Sequence, residues 1–349
     1  MTKVAALLLA ASLALAACAS DEKKSSDSSS GGSASGDVKV GVAYDVGGRG
    51  DKSFNDSAIA GVEKAAKDLG LSLQDDVEEL SPNPDGSNRE ELLTQLAEAG
   101  FNPVIAIGFS YGDLIGKVAK AYPDTQFAIV DTSVEGLGVD NVTGLIFAEQ
   151  EGSFLAGAAA ALKSQTGHIG FVGGQQSPLI EKFQAGYTAG AKKVNPQIIV
   201  DVQYLSPAGD GSGFGAPDRG KVAALGMYQA GADIIFHAAG GSGSGVFEAA
   251  VEAGKRAIGV DSDQYLSAPP DQQAVIMTSM LKRVDLAVEG YVKDFAAGKV
   301  KGGSDVLNDL STDGIRLADS GGFITDIQDK IDALRQQIIS GEIKVPTTP

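Results

Sequence analysis

Long apolar runs, separated by stretches of helical spacing, constrain this chain most. Eight of them read as strands: VKVGVAY (38–44), PVIAIGF (103–109), QFAIVD (126–131), HIGFVGG (168–174), IIVDVQYL (198–205), DIIFHAAG (233–240), RAIGVD (256–261) and AVIMTSM (274–280). Strands covered on both faces stay apolar throughout instead of alternating with polar residues. Between most of these runs the apolar spacing turns helical, as in NREELLTQLAEAG (88–100), PLIEKFQAGYTAGAKKV (178–194), GSGVFEAAVEAGK (243–255) and KRVDLAVEGYVKDFAAGK (282–299). Repeated β-α-β predicts parallel sheets joined by right-handed crossovers. Eight strands overfill one compact sheet, and 349 residues suit two domains. The expectation is therefore an α/β chain with two sheets, each flanked by helices.

Charge narrows the partners. The formal charge is -17, from 45 acids against 28 bases. Such a surface argues against nucleic acid and against anionic lipid headgroups. The only cysteine, Cys18, closes the segment MTKVAALLLAASLALAAC (1–18). A basic start followed by an apolar stretch too short to span a bilayer reads as a secretory signal. LAAC (15–18) resembles the lipobox of bacterial lipoproteins, with cleavage before Cys18 and a lipid on its thiol. The next stretch, SDEKKSSDSSSGGSASGD (20–37), holds too few apolar residues to bury anything and reads as a tether. The expected organisation is a signal peptide over 1–17, a lipidated Cys18 and tether over 18–37, and a folded body from Val38. The localisation is then the cell membrane, lipid-anchored and facing out of the cytoplasm.

Six residues fall at or just beyond the carboxyl ends of expected strands: Asp45, Ser110, Asp131, Gly240, Asp261 and Lys282. In open α/β sheets that edge is where ligands bind. Their convergence points to a cleft between two sheets. Motifs for chemistry are otherwise weak. GGRGDKS (47–53) has Asp51 where a phosphate loop needs glycine before its lysine, and a carboxylate there repels phosphate. GGSGSG (240–245) has the wrong glycine spacing for a dinucleotide fingerprint and reads as a tight turn. His168 and His237 lie inside strand runs and read as core or strand-end residues. No metal-ligand spacing, nucleophile elbow or catalytic cluster is present in the sequence, so no cofactor and no enzyme activity are expected.

Phe54-Asn55 is the odd pair in the loop DVGGRGDKSFNDSA (45–58). With Asn55 as N-cap, Phe54 could staple its own helix against Ile59. A second solitary aromatic, Phe214 in AGDGSGFGAPDRG (208–220), offers another use. One aromatic from each half of the chain could sandwich a flat ring.

The motifs DKSFNDSAIAGVEKA (51–65), IGFSYGD (107–113), FAIVDT (127–132), FAEQEGSFLAGAAAAL (147–162), IGFVGG (169–174), GADIIFHAAGGSGSGVFEAA (231–250), AIGVDSDQ (257–264) and MTSMLKRVDLAV (277–288) cover the body to about Ile343. Together they resemble the basic membrane protein family, substrate-binding lipoproteins of ABC transporters that include purine nucleoside receptors. The resemblance implies a type I periplasmic-binding-protein fold, with two lobes joined by three crossovers and a ligand cleft between them. The first lobe would hold 38–147 and about 282–303, the second 148–281 and about 304–349. It implies a purine nucleoside in the cleft, met at the base by Phe54, Asn55 and Asp131. Gly240, Asp261 and Lys282 would hold the ribose, and Phe214 would give a second aromatic face. Asp45 and Ser110 complete the expected binding set.

The chemistry of these residues agrees with that ligand. A ribose cis-diol offers two donors that one carboxylate can accept. The expected function is capture of a purine nucleoside by a monomer and delivery to an ABC permease. Two alternatives stand beside it: a binding lobe for another small ligand, such as a sugar or autoinducer, and a nucleoside-processing or dinucleotide-dependent enzyme.

Overall fold

The computed structural model describes residues 38–349; the expected signal peptide, Cys18 and the tether lie outside the described residues. All eight expected strands are present. They are β1 (Val40–Ala43), β3 (Val104–Ala106), β4 (Phe127–Val130), β6 (His168–Gln175), β7 (Ile199–Ser206), β8 (Ile234–Ala238), β9 (Arg256–Asp261) and β10 (Ile276–Lys282). Four strands escape the sequence reading: β2 (Val77–Leu80), β5 (Val142–Phe147), β11 (Ser304–Asn308) and β12 (Ile315–Leu317). β2, β11 and β12 lie on sheet edges, where one flank is open and polar residues are tolerated. β5 is internal, but Thr143 and Gly144 interrupt its apolar run.

The strands form two sheets, in the orders β11-β5-β4-β3-β1-β2 and β12-β10-β9-β8-β6-β7. Every pairing is parallel except β10 with β12. Helices connect the strands: α1 (Phe54–Leu69), α2 (Arg89–Glu98), α3 (Gly112–Ala121), α4 (Glu149–Lys163), α5 (Pro178–Val194), α6 (Pro217–Ala230) and α7 (Gly243–Ala253). Two short turns of helix, α8 (Gln264–Ser267) and α9 (Pro270–Gln273), precede α10 (Val284–Ala296) and α11 (Gln328–Ile339).

The chain passes from one sheet to the other three times, after β5, after β10 and after β11. The third passage departs from expectation. Ser304–Asn308 pairs along its whole length with Thr143–Phe147 and so belongs to the first sheet. The hand-over near 304 therefore moves to 309. The reason it is hidden is that β11 is an edge strand whose two apolar residues, Val306 and Leu307, are half exposed. α10 returns to the first lobe and lies on α1, where the Asp285 backbone N–H donates to Ser57 Oγ at 3.2 Å.

In the second lobe α4 and α5 meet backbone to backbone. A Cβ at Gly157 would stand 1.9 Å from the Tyr187 carbonyl oxygen, one at Gly186 2.1 Å from that of Gln150, and one at Gly190 1.9 Å from that of Phe154. No side chain larger than hydrogen fits at these three places. The run of alanines on α4, Ala158–Ala160, is fully buried beside them.

Candidate functional site

The parallel strands of both sheets present their carboxyl ends to one narrow cleft. Eight of the nine expected residues line it: Asp45, Phe54, Asn55, Asp131, Phe214, Gly240, Asp261 and Lys282. Ser110 does not. It sits in the 3-10 turn Phe109–Tyr111, and its neighbour Phe109 reaches the cleft instead.

Phe54 is the first helical residue of α1, and Ser53 is the N-cap. A staple needs its aromatic before the cap, so the stapling arrangement with Asn55 as N-cap is absent. The exposed backbone donors of the helix start are met by Asp51. Its Oδ1 accepts from the N–H of Ser53 (2.9 Å) and Asp56 (3.1 Å), and its Oδ2 from that of Asn55 (2.8 Å). The carboxylate that breaks the phosphate-loop pattern thus fills the place an anion would take at a helix N-terminus. Asn55 is held by two bonds: its Oδ1 accepts from the Asp45 N–H at 3.1 Å, and its Nδ2 donates to Asp51 at 3.1 Å.

Two aspartates face each other across the cleft, and both follow a strand in a left-handed backbone. Asp131 after β4 has φ +70°, and Asp261 at the end of β9 has φ +64°. Aspartate tolerates that region better than most side chains. Asp131 comes from the first lobe and accepts from Lys282 Nζ of the second at 2.5 Å. Asp261 comes from the second lobe and accepts from Ser53 Oγ of the first, also at 2.5 Å.

Lys282 is the hub of the charge. It is 2 % exposed, stands 3.6 Å from Glu149 Oε1, and lies 5.0, 5.1 and 5.7 Å from the ring centres of Phe54, Phe147 and Phe183. Cations held over aromatic faces in dry surroundings are stabilised by the ring quadrupoles. Burial pulls its ammonium down, but Asp131, Glu149 and Asp261 together hold it above the ordinary lysine value. Lys182 reaches the other oxygen of Glu149 at 3.3 Å. At the opposite end of the cleft, Asp45 accepts from Arg89 Nη2 at 2.8 Å. Burial raises the Asp45 carboxyl despite that partner.

Burial also raises both central aspartates, more than Lys282 lowers them. Asp261 is pushed up from 3.8 to about 6. The native protein therefore binds more protons there than the unfolded chain between 3.8 and about 6, and stability from this group falls as pH rises through that window. Asp261→Asn removes the cost. The variant without ligand should be more stable than the parent at pH 7 by about 2–3 kcal/mol, at 1.36 kcal/mol per pH unit. Melting curves should show the gap closing as pH falls to 4, whereas a gap independent of pH would contradict the assignment.

Sequence reasoning missed Asp51, Phe109, Glu149 and Phe183. Glu149 and Phe183 lie on helices, and only apolar periodicity marks Phe183. His237 is fully buried; burial lowers its pKa to about 4 against a smaller opposing pull from the Gln264 side chain, so it is neutral. Gly243 is packed against it, since a Cβ there would stand 2.0 Å from the imidazole Cε1. In the same glycine-rich turn a Cβ at Gly245 would stand 1.9 Å from the Pro217 carbonyl oxygen, and Gly240 has φ +53°. Among the described residues, no helix is long and apolar enough to cross a membrane.

Comparison with known proteins agrees with this geometry. Residues 38–349 match the Bmp family, described as ABC transporter substrate-binding protein PnrA-like. A CD4+ T-cell-stimulating antigen of Listeria monocytogenes is 36 % identical over 329 residues, 90 % of each chain. The ABC transporter nucleoside-binding protein BmpA of Lactococcus lactis is 34 % identical over 324 residues, covering 89 % of this chain and 90 % of that one. A crystal structure of an ABC transporter solute-binding protein from Aeropyrum pernix superposes with a TM-score of 0.78 at 29 % identity, over 89 % of this chain and 93 % of that one. Two parallel-sheet lobes flanked by helices, shared with such proteins, make this the type I periplasmic-binding fold. The chain belongs to the Bmp family of PnrA-like ABC transporter substrate-binding proteins.

Proposed function

We propose that the protein captures a purine nucleoside in the inter-lobe cleft and delivers it to an ABC permease. One observation carries the reading: two aromatics from opposite lobes, Phe54 and Phe214, share a cleft with Asp131 and Asp261, whose carboxylates are buried. Phe54 stacks on the base, and base–aromatic stacking is worth roughly 1–3 kcal/mol. Asn55 and Asp131 meet the base edge, and one buried oxygen of Asp131, Oδ1, has no hydrogen-bond partner among the described residues. Asp261 accepts from the ribose hydroxyls, and the backbone at Gly240, with φ +53°, comes close to the sugar. Lys282 holds Asp131 in place as well as balancing Asp261, so it serves both ends of the ligand. Asp45, fixed by Arg89, closes the base end.

The cleft is acidic. Asp45, Asp51, Asp131, Asp261 and Glu149 face Arg89, Lys182 and Lys282. An uncharged nucleoside suits it better than a nucleotide, whose phosphate would add negative charge to a dry site. Membership of a substrate-binding family supports binding and release of the ligand unchanged.

Titration calorimetry with inosine, guanosine, hypoxanthine, ribose and an amino acid tests the reading. The nucleosides should bind, and Asp261→Asn should weaken them at least tenfold while hardly changing the free base, about one hydrogen bond to a charged group. Phe54→Leu should weaken both base and nucleoside 5- to 150-fold, with Phe54→Tyr near the parent. Equal losses for inosine and hypoxanthine in Asp261→Asn would remove that residue from the ribose, and a sugar binding best would replace the nucleoside.

The protein works from the outer face of the cell membrane, as a monomer tethered through a lipid on Cys18. Two or more acyl chains make such anchoring durable, at about 0.8 kcal/mol per buried CH₂. Cys18→Ala should move the protein from the membrane to the soluble fraction. A variant that sediments with membranes as fully as the parent would rule the anchor out.

A further inference from the structure

Beside the cleft the two lobes bond directly to each other. The Lys52 carbonyl of the first lobe accepts from Ser262 Oγ at 2.9 Å and from Gln264 Nε2 at 3.2 Å, both of the second lobe. Ser53, the next residue, donates to Asp261 at 2.5 Å. Lys282 answers from the other side by donating to Asp131 at 2.5 Å. Among the described residues, four non-glycines have a left-handed backbone, and three of them are Lys52 (φ +53°), Asp131 and Asp261. Asp131 and Asp261 line the cleft, Lys52 stands beside it next to Ser53, and the fourth, Asp313, does neither. Strained backbone is kept only where surrounding contacts over-determine it.

We propose that the Lys52–Ser53 turn is the latch of the cleft, and that Ser53 is a positioning residue that completes the Asp261 carboxylate only when the lobes meet. The left-handed Lys52 turns its carbonyl to the second lobe, where two donors saturate both lone pairs. Ser53 occupies Oδ2 of Asp261 and leaves Oδ1 to the ligand. The carboxylate therefore reaches its binding geometry through a hydroxyl that the opposite lobe supplies. Opening breaks these bonds together and frees Lys52 from its strained conformation, so closure is firm and still reversible. The latch itself needs no particular ligand; only its effect on nucleoside release rests on the function proposed above.

Two measurements test it on the full-length chain. Spin labels at Lys117→Cys on α3 and Val222→Cys on α6, in a Cys18→Ser background, report the distance between the lobes. Both positions are about 70 % exposed, at 72 % for the Lys117 side chain and 71 % for Val222. Ser262→Ala removes a hydroxyl that does not line the cleft, and Ser53→Ala removes the Asp261 donor. Each variant should lose part of the short-distance population, with and without inosine. Inosine release should speed up about fivefold for Ser262→Ala and tenfold or more for Ser53→Ala, the loss of one neutral and one charge-assisted hydrogen bond. Distance distributions and release rates equal to the parent's would overturn the latch, as would a parent whose lobes stay apart in every condition. Absence of inosine binding to the parent would instead refute the nucleoside reading. The distances without ligand would still decide the latch.

Discussion

Replacing Lys282 by methionine should abolish tight binding of both nucleoside and free base. Methionine keeps the length and the aromatic contacts with Phe54, Phe147 and Phe183 but removes the one cation that pairs with Asp131 among the described residues. Asp131 and Glu149 are then buried together without Lys282 between them. Breaking one side of a buried ion pair costs about 3–5 kcal/mol, because the remaining charge is left in a poor solvent. If that cost falls on the ligand-bound closed state, affinity drops by roughly two to four orders of magnitude. The melting temperature should fall as well, since the carboxylates repel each other with the lobes closed. Protonation relieves the repulsion, so the deficit should shrink toward pH 5. Calorimetry at two pH values reads both effects, and a variant matching the parent in affinity and melting point would show that the lysine is not the hub described above. The contrast with Asp261→Asn is informative: that change should spare the free base and raise stability, while this one spares neither.

Gly190→Ala should be strongly destabilising in the second lobe. Its Cβ would stand 1.9 Å from the Phe154 carbonyl oxygen, and that partner is backbone, which cannot rotate away. α5 would have to lift off α4, taking the fit at Gly157 and Gly186 with it. Overpacking of this kind costs about 3 kcal/mol or more. At about 2–4 °C per kcal/mol for a chain of this size, the melting temperature should fall by roughly 6–12 °C. Gly226→Ala on α6 is the control, because a Cβ there meets nothing within 4 Å. It should be neutral or stabilise by up to about 1 kcal/mol through helix propensity. If both variants melt with the parent, the helices are not in the backbone contact described.

The same physics explains what could be read from the residues alone. Strands β1, β3, β4, β6, β8 and β9 have neighbours on both sides and helices on both faces, so they announce themselves as apolar runs. VEEL, SDVLN and IRL are edge strands, and their polar residues make them look like loops. The site was legible where it sits at strand ends, because topology alone sends Asp45, Asp131, Asp261 and Lys282 to one edge. It was not legible where helices contribute. Phe183 shares its helical spacing with Tyr187 of α5, which is fully buried away from the cleft, so nothing in the sequence separates a residue lining the cleft from one lining the core. Ser110 shows the limit of the strand-end rule: the next residue but one starts a helix, and the short turn between brings Phe109 to the cleft.

The left-handed backbone at Asp131 and Asp261 separates two inheritances that a single codon usually carries together. At these positions one property is the carboxylate and the other is the ability to sit at φ +70° or +64°. Asparagine keeps the second and loses the first, glycine keeps the second with no side chain at all, and alanine keeps neither. Drift through asparagine or glycine would leave a well-folded cleft with altered chemistry, so a change of ligand within this architecture has an open route at the two places where the ligand is held.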